Sequence, residues 1–187
     1  MRITDIGGFH GGDPKDPKFR ELFVRWFQWG AFCPVMRLHG DREPRQAKVG
    51  MAGGASCRSG ADNEVWSYGP EVFEICKKYM QFREELRPYT RKLMKEAHEK
   101  GTPVMRTLFF EFPDDSMCWE IEEQYVYGDK YLCCPVLSEG QTQTAVYLPK
   151  LADGKQWQRL WSEDVYDGGT YITVASPLHE MPVFIRS

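Results

Sequence analysis

Near residue 102 the hydrophobic pattern of this chain changes period, and that switch restricts its possible folds more than any other feature. Upstream, apolar residues recur at helical spacing; downstream, they fall in short runs separated by turns. In FRELFVRWFQWGAF, Phe19, Leu22, Phe23, Trp26 and Gly30 stand at i, i+3, i+4, i+7 and i+11, so the segment is an amphipathic helix with a bulky buried face. Pro70, followed by Glu71 and Glu74, opens a second helix. Val72, Ile75, Cys76, Tyr79, Phe82 and Leu86 make its apolar face, and Pro88 kinks or divides it. Tyr89 to Lys100 continues as helix with Leu93, Met94 and Ala97 inward, until Gly101 and Pro103 stop it.

Two apolar runs flank the first helix. ITDIGGF, residues 3–9, ends in a double glycine, and CPVMRL, Cys33 to Leu38, is bounded by Pro34 and by His39-Gly40. Strand, helix, strand is the βα unit of a parallel sheet. Such a piece cannot close its own sheet, because its strands keep unpaired edges and its helices an uncovered face. Residues 1–102 are therefore expected to belong to something larger and to expose apolar surface that binds dyes and drives association.

From Pro103 onward, VMRTLFFEF, EQYVYG, KYLCCPVL, TQTAVYLP, WQRLWS, TYITVAS and PVFIR read as strands. Turn signals at Gly128-Asp129, Glu139-Gly140, Asp153-Gly154 and Asp167-Gly168-Gly169 separate them, and one helical turn falls at Asp115 to Glu122. This spacing indicates an antiparallel sandwich. The expected class is α+β, with a helical part over residues 1–102 and a β-sandwich over residues 103–187.

Composition excludes several functions. A chain of 187 residues can bury a real core. Its net charge of −3, with no basic stripe, argues against nucleic acid as a partner. No apolar run approaches ~18 residues, so no membrane span is expected. MRITDIGGFHGGDPKD lacks the apolar stretch of a signal peptide, and the sequence leaves the compartment open. Cys33, Cys57, Cys76, Cys118, Cys133 and Cys134 form no C-x-x-C, so they read as packed thiols and not as zinc ligands. VGMAGGASCRSG lacks the G-K-[ST] of a phosphate loop and reads as an irregular surface insertion. No metal and no cofactor are expected.

DIGGF followed by RWFQWGAFCPVMRLHG resembles the end of the (β/α)8 barrel of glycoside hydrolase family 31. The resemblance runs on through RPYTRKLMKEAHEKGTPVMRTLFFEFPDD, YGDKYLCCPVLSEG, VYLP, LWSEDVYDGGTYITV and PVFIRS, in order and over nearly the whole chain. Residues 44–62 depart from it, and DNEVWSYGPEV is similar to the α-xylosidase-like branches. The resemblance implies that residues 3–9 and 34–40 are the seventh and eighth barrel strands, the last two βα units, and that residues 103–187 are the sandwich after the barrel.

The same resemblance implies a retaining glycosidase acting on a terminal α-linked xylose or glucose of an oligosaccharide or small α-glycoside. One carboxylate attacks the anomeric carbon while a second, about 5–5.5 Å away, protonates the leaving oxygen. In the family both are aspartates on earlier barrel strands, in W-x-D-M-N-E-like and G-D-N-like runs that do not occur here. Asp13, Asp16 and Asp41 stand in loops without that context. No catalytic residue is thus expected in this chain, and the N-terminal barrel portion becomes a missing partner.

What carries over is a substrate-binding set. Asp5 looks like the acidic floor of the −1 subsite, against the alternative of a strand-end cap. Phe9 looks like the aromatic beside the sugar ring, against plain core. His39 looks like the histidine that hydrogen-bonds sugar hydroxyls, and Arg37 either pairs with a site carboxylate or braces the barrel. Trp26, Phe27 and Trp29 read as core at helical spacing; Trp157 and Trp161 read as packing, or as a carbohydrate platform of a non-catalytic binding sandwich.

Overall fold

A computed structural model describes residues 5–9, 11–39, 62–152 and 154–186. The insertion and Asp41 lie outside the described residues, as does the start of the first expected strand.

Helix α1 spans Pro17–Ala31; Asp16 caps it by accepting the Lys18 N–H, and Pro17 opens it. Its buried residues are Phe23, Val24, Arg25, Phe27, Gln28, Gly30 and Ala31, whereas Leu22 is 51% exposed and Phe19 and Trp26 are half-buried. The expected apolar stripe is therefore shifted. The physical reason is that α1 is covered on two sides: Tyr68 stacks on Phe23 at 3.8 Å, and the strand-rich half holds Arg25 and Gln28.

Helix α2, Pro70–Glu85, buries Val72, Ile75, Cys76, Tyr79 and Phe82, as its spacing requires. The helix breaks at Leu86, and α3 resumes over Arg87–Lys100 with Pro88 in its first turn. Gly101 ends α3 in a left-handed cap. Leu93 is buried, but Met94, expected inward, is 38% exposed because nothing among the described residues covers that flank.

The two strands expected beside α1 are reduced to one parallel bridge, Ile6 to Leu38, with the Ile6 N–H donated to the Arg37 carbonyl at 3.3 Å. A parallel strand is held by neighbours on both sides. Here each member has one neighbour among the described residues.

Beyond Gly101 the strands are β1 (Met105–Thr107), β2 (Tyr125–Tyr127), β3 (Tyr131–Cys133), β4 (Gln143–Leu148), β5 (Trp157–Arg159), β6 (Val165–Tyr166), β7 (Thr170–Ala175) and β8 (Val183–Arg186). They form a six-stranded sheet in the order β1-β2-β3-β8-β5-β6 and a two-stranded sheet β4-β7, with antiparallel pairing throughout. The run LFFEF does not continue β1: Leu108–Glu111 forms a helical turn, α4. A 3-10 turn at Ser116–Trp119 falls where a helical turn is expected.

Alternation along the central strands divides the core in two. Tyr125, Tyr127, Tyr131, Cys133, Val183 and Ile185 face the helices; Val126, Leu132, Cys134 and Phe184 face the β4–β7 sheet. The larger sheet is buried on both faces, between a helical layer and a second sheet. The helix-side core therefore runs across residue 102, from Phe23, Phe27 and Tyr79 to Tyr131 and Met181. Trp157 is fully buried with its indole N–H on the Pro149 carbonyl at 2.8 Å. Trp161 packs edge-on against Tyr79 and Phe82, with Lys78 over its ring, and stays 40% exposed.

Candidate functional site

The Ile6–Leu38 bridge sets up the site. Ile6 is fully buried against α1, and with strand alternation this turns Arg37 and His39 to the opposite, exposed side. Before the bridge stands Asp5; after it, Gly7 and Gly8 take φ of 88° and 80°, a left-handed conformation open to glycine without strain. The Gly8 N–H closes the turn on the Asp5 carbonyl at 2.8 Å. The chain comes back on itself and brings Phe9 to His39, ring centroids 5.4 Å apart and tilted by 56°.

One Arg37 Nη2–H donates to Asp5 Oδ1 at 2.9 Å. The four sequence candidates therefore converge as two adjacent pairs, Asp5–Arg37 and Phe9–His39, joined through the Arg37-x-His39 spacing. Both alternatives for Arg37 meet here, since it pairs with a carboxylate and so ties the two segments together. The Arg37 and Asp5 side chains are 48% and 29% exposed, and ion pairs this wet contribute only about 0–1 kcal/mol. The pair orients Asp5 more than it stabilises the fold.

Phe9 is 43% exposed, so it is not core. An open phenyl face, an imidazole and an oriented carboxylate side by side suit a neutral polyhydroxyl ring: one offers an apolar stacking surface, the others exchange hydroxyl hydrogen bonds. The set does not contain a pair of carboxylates. Asp13 accepts the Lys15 N–H at 2.9 Å in a local turn, and Asp16 is spent on capping α1.

The cysteines among the described residues offer no nucleophile in their place. Burial pushes the Cys76 thiol up to about 12; burial and then the neighbouring Asp115 carboxylate push Cys118 up to about 12. Cys33, Cys76, Cys118, Cys133 and Cys134 are all buried and outside any disulfide, as packed thiols should be. Among the described residues no cluster of His, Cys, Asp and Glu has the makings of a metal site, and no helix is long and apolar enough to cross a membrane.

Sequence reasoning missed a second set of polar residues, which holds the site's supporting helix. Arg25 donates through Nη1 to the carbonyls of Pro177 and Glu180 at 3.0 and 3.2 Å, and through Nη2 to those of Gln141 and Ser176 at 3.3 and 2.8 Å. Gln28 adds Nε2–H to the Leu178 carbonyl at 2.7 Å. The signal in the sequence is slight: two polar residues three apart among the apolar residues of the second half of α1.

Comparison with known proteins finds similarity over almost the whole chain. Residues 1–93 match the family model described as the glycosyl hydrolases family 31 TIM-barrel domain, and residues 101–187 match the glycosyl hydrolase family 31 C-terminal domain. The alpha-xylosidase of Saccharolobus solfataricus is 33% identical over 184 residues, which are 98% of this chain and 22% of that protein. Alpha-glucosidase 2 of Bacillus thermoamyloliquefaciens is 33% identical over 183 residues, 97% of this chain and 20% of that protein. The crystal structure of a GH31 alpha-xylosidase from a soil metagenome, complexed with xylose, superposes with a TM-score of 0.89 at 49% identity, over 98% of this chain and 27% of that one. The chain thus spans about a fifth to a quarter of the length of these relatives.

Proposed function

Because the chain belongs to glycoside hydrolase family 31 and covers the end of its barrel domain together with its C-terminal domain, we propose that residues 5–39 form one wall of the sugar site of a retaining α-glycosidase. The substrate is a terminal α-linked xylose or glucose on an oligosaccharide or small α-glycoside. The convergence of Asp5, Arg37, Phe9 and His39 on one exposed face carries this reading. Phe9 stacks on the ring, His39 hydrogen-bonds its hydroxyls, and Asp5, oriented by Arg37, accepts hydroxyl protons at the floor of the site.

The attacking and proton-donating carboxylates come from barrel strands outside these 187 residues. In this division of labour the chain binds and orients, and it hydrolyses nothing alone. A non-catalytic carbohydrate-binding sandwich has less behind it: Trp157 is buried, and Trp161, although 40% exposed, has Tyr79 and Phe82 against it and Lys78 over its ring.

The test is an assay of the purified chain on aryl α-xylosides and α-glucosides, with xylose titrated against the His39 ring signals by NMR. The expected result is no hydrolysis above the blank and a saturable shift at millimolar sugar. Hydrolysis that disappears in His39→Ala, or ring signals that ignore sugar, contradicts the reading.

A further inference from the structure

Phe9, the proposed stacking surface, stands between two glycine doublets. Gly7 and Gly8 precede it, Gly11 and Gly12 follow it, and all four take positive φ, from 71° to 88°. Glycine restrains its own backbone little, so the placement of Phe9 is decided by what holds the two doublets. The first is held at its origin, where the Gly8 N–H closes on the Asp5 carbonyl.

The second rests on a side chain of α1. A Cβ added to Gly12 would overlap the Phe19 ring, 2.5 and 2.6 Å from its two Cε atoms, so only a bare glycine lets the chain lie this close. A Cβ added to Gly11 would meet nothing within 4 Å, so the close approach belongs to Gly12. Beside Phe19, Arg20 holds the same loop further along, its Nε–H donated to the Pro14 carbonyl at 2.5 Å. Buried structure backs the Phe19 ring. It lies 6.1 Å from the ring of Tyr68, which is fully buried, stacks on Phe23 and donates its hydroxyl hydrogen to Asn63 Oδ1 at 2.9 Å.

We propose that Phe19 is a positioning residue: it seats the second doublet and thereby fixes Phe9 against His39. The consequence for sugar binding rests on the reading of the wall given above; the positioning itself does not.

The experiment follows the imidazole signals of His39 by NMR in the isolated chain, first without sugar. The Phe9 and His39 ring centroids are 5.4 Å apart, so the Phe9 ring current shifts those signals and Phe9→Ala removes the shift. Two variants disturb the seat from opposite sides. Phe19→Leu takes away the ring under Gly12, and Gly12→Ala puts a methyl where the ring stands, so one reports should the other not fold. Each is expected to move the His39 signals most of the way to their Phe9→Ala position. Each should do nothing further in a Phe9→Ala background, because independent effects would add. His39 signals that stay in place in the seat variants, or shifts of equal size with and without Phe9, overturn the proposal. Xylose titration then reads the consequence. Kd rises about fivefold in Phe9→Ala and by a similar factor in either seat variant, as the loss of one aromatic stacking contact requires. A Kd unchanged in all three, with the ring-current shifts as expected, counts against the sugar wall alone and leaves the positioning supported.

Discussion

A Cβ added to Gly30 would lie 2.6 Å from Cδ1 of Ile6, so α1 rests directly on the bridge that carries the proposed sugar-site residues. Gly30→Val forces Ile6, which is fully buried, out of its place. Overpacking of this kind costs about 1–3 kcal/mol, and valine's modest helix propensity returns little of it. Urea denaturation of the variant reads this loss directly, and a stability equal to the parent's contradicts it. The candidate site was legible at this scale because each residue carries its own signal: a double glycine after Asp5, an aromatic just beyond it, and Arg37-x-His39 at the end of an apolar run. The Asp5–Arg37 pairing was not, since it joins residues 32 apart through a parallel register that no local pattern encodes.

Elements were legible wherever one face alone decides burial. The α2 stripe, the break at Pro88 and the separate strands of the second half follow from spacing and turn residues. The α1 face was misjudged because Arg25 and Gln28 are buried by backbone carbonyls more than 110 residues away in sequence. LFFEF was read as strand because a short apolar run does not distinguish strand from helix. What turns it into α4 is Glu111, whose two carboxylate oxygens accept from Arg106 Nη1 and Arg186 Nη2, each at 2.9 Å. The Arg106 and Glu111 side chains are only 8% and 14% exposed. Removing one partner of a buried pair costs about 3–5 kcal/mol, because the other charge is left unpaired. Glu111→Ala is therefore expected to lose about that much in chemical denaturation, and a loss below about 1 kcal/mol would show that the α4 turn is held by Leu108 packing instead.

Across the whole molecule, the change of period near residue 102 marks a change of secondary structure but not a break in the core. Helices and sheet share one apolar cluster, and Arg25 fastens α1 to the loops of the sandwich. The sandwich thus braces the helix on which the proposed sugar-site wall rests. Exposed large apolar residues are not confined to the helical half expected to carry them: Leu22, Trp66 and Met94 are exposed there, and Phe110, Trp119, Leu137 and Tyr171 in the strand-rich half. A chimera in which this chain replaces the matching quarter of the soil-metagenome alpha-xylosidase sets the proposed sugar-site wall against the rest of that enzyme, so kcat/KM for an aryl α-xyloside tests the account most directly. His39→Ala is predicted to lower it by about 100-fold, near 2.7 kcal/mol of transition-state binding, with Tm unchanged; a value within twofold of the unsubstituted chimera would contradict the assignment of His39 to the sugar site.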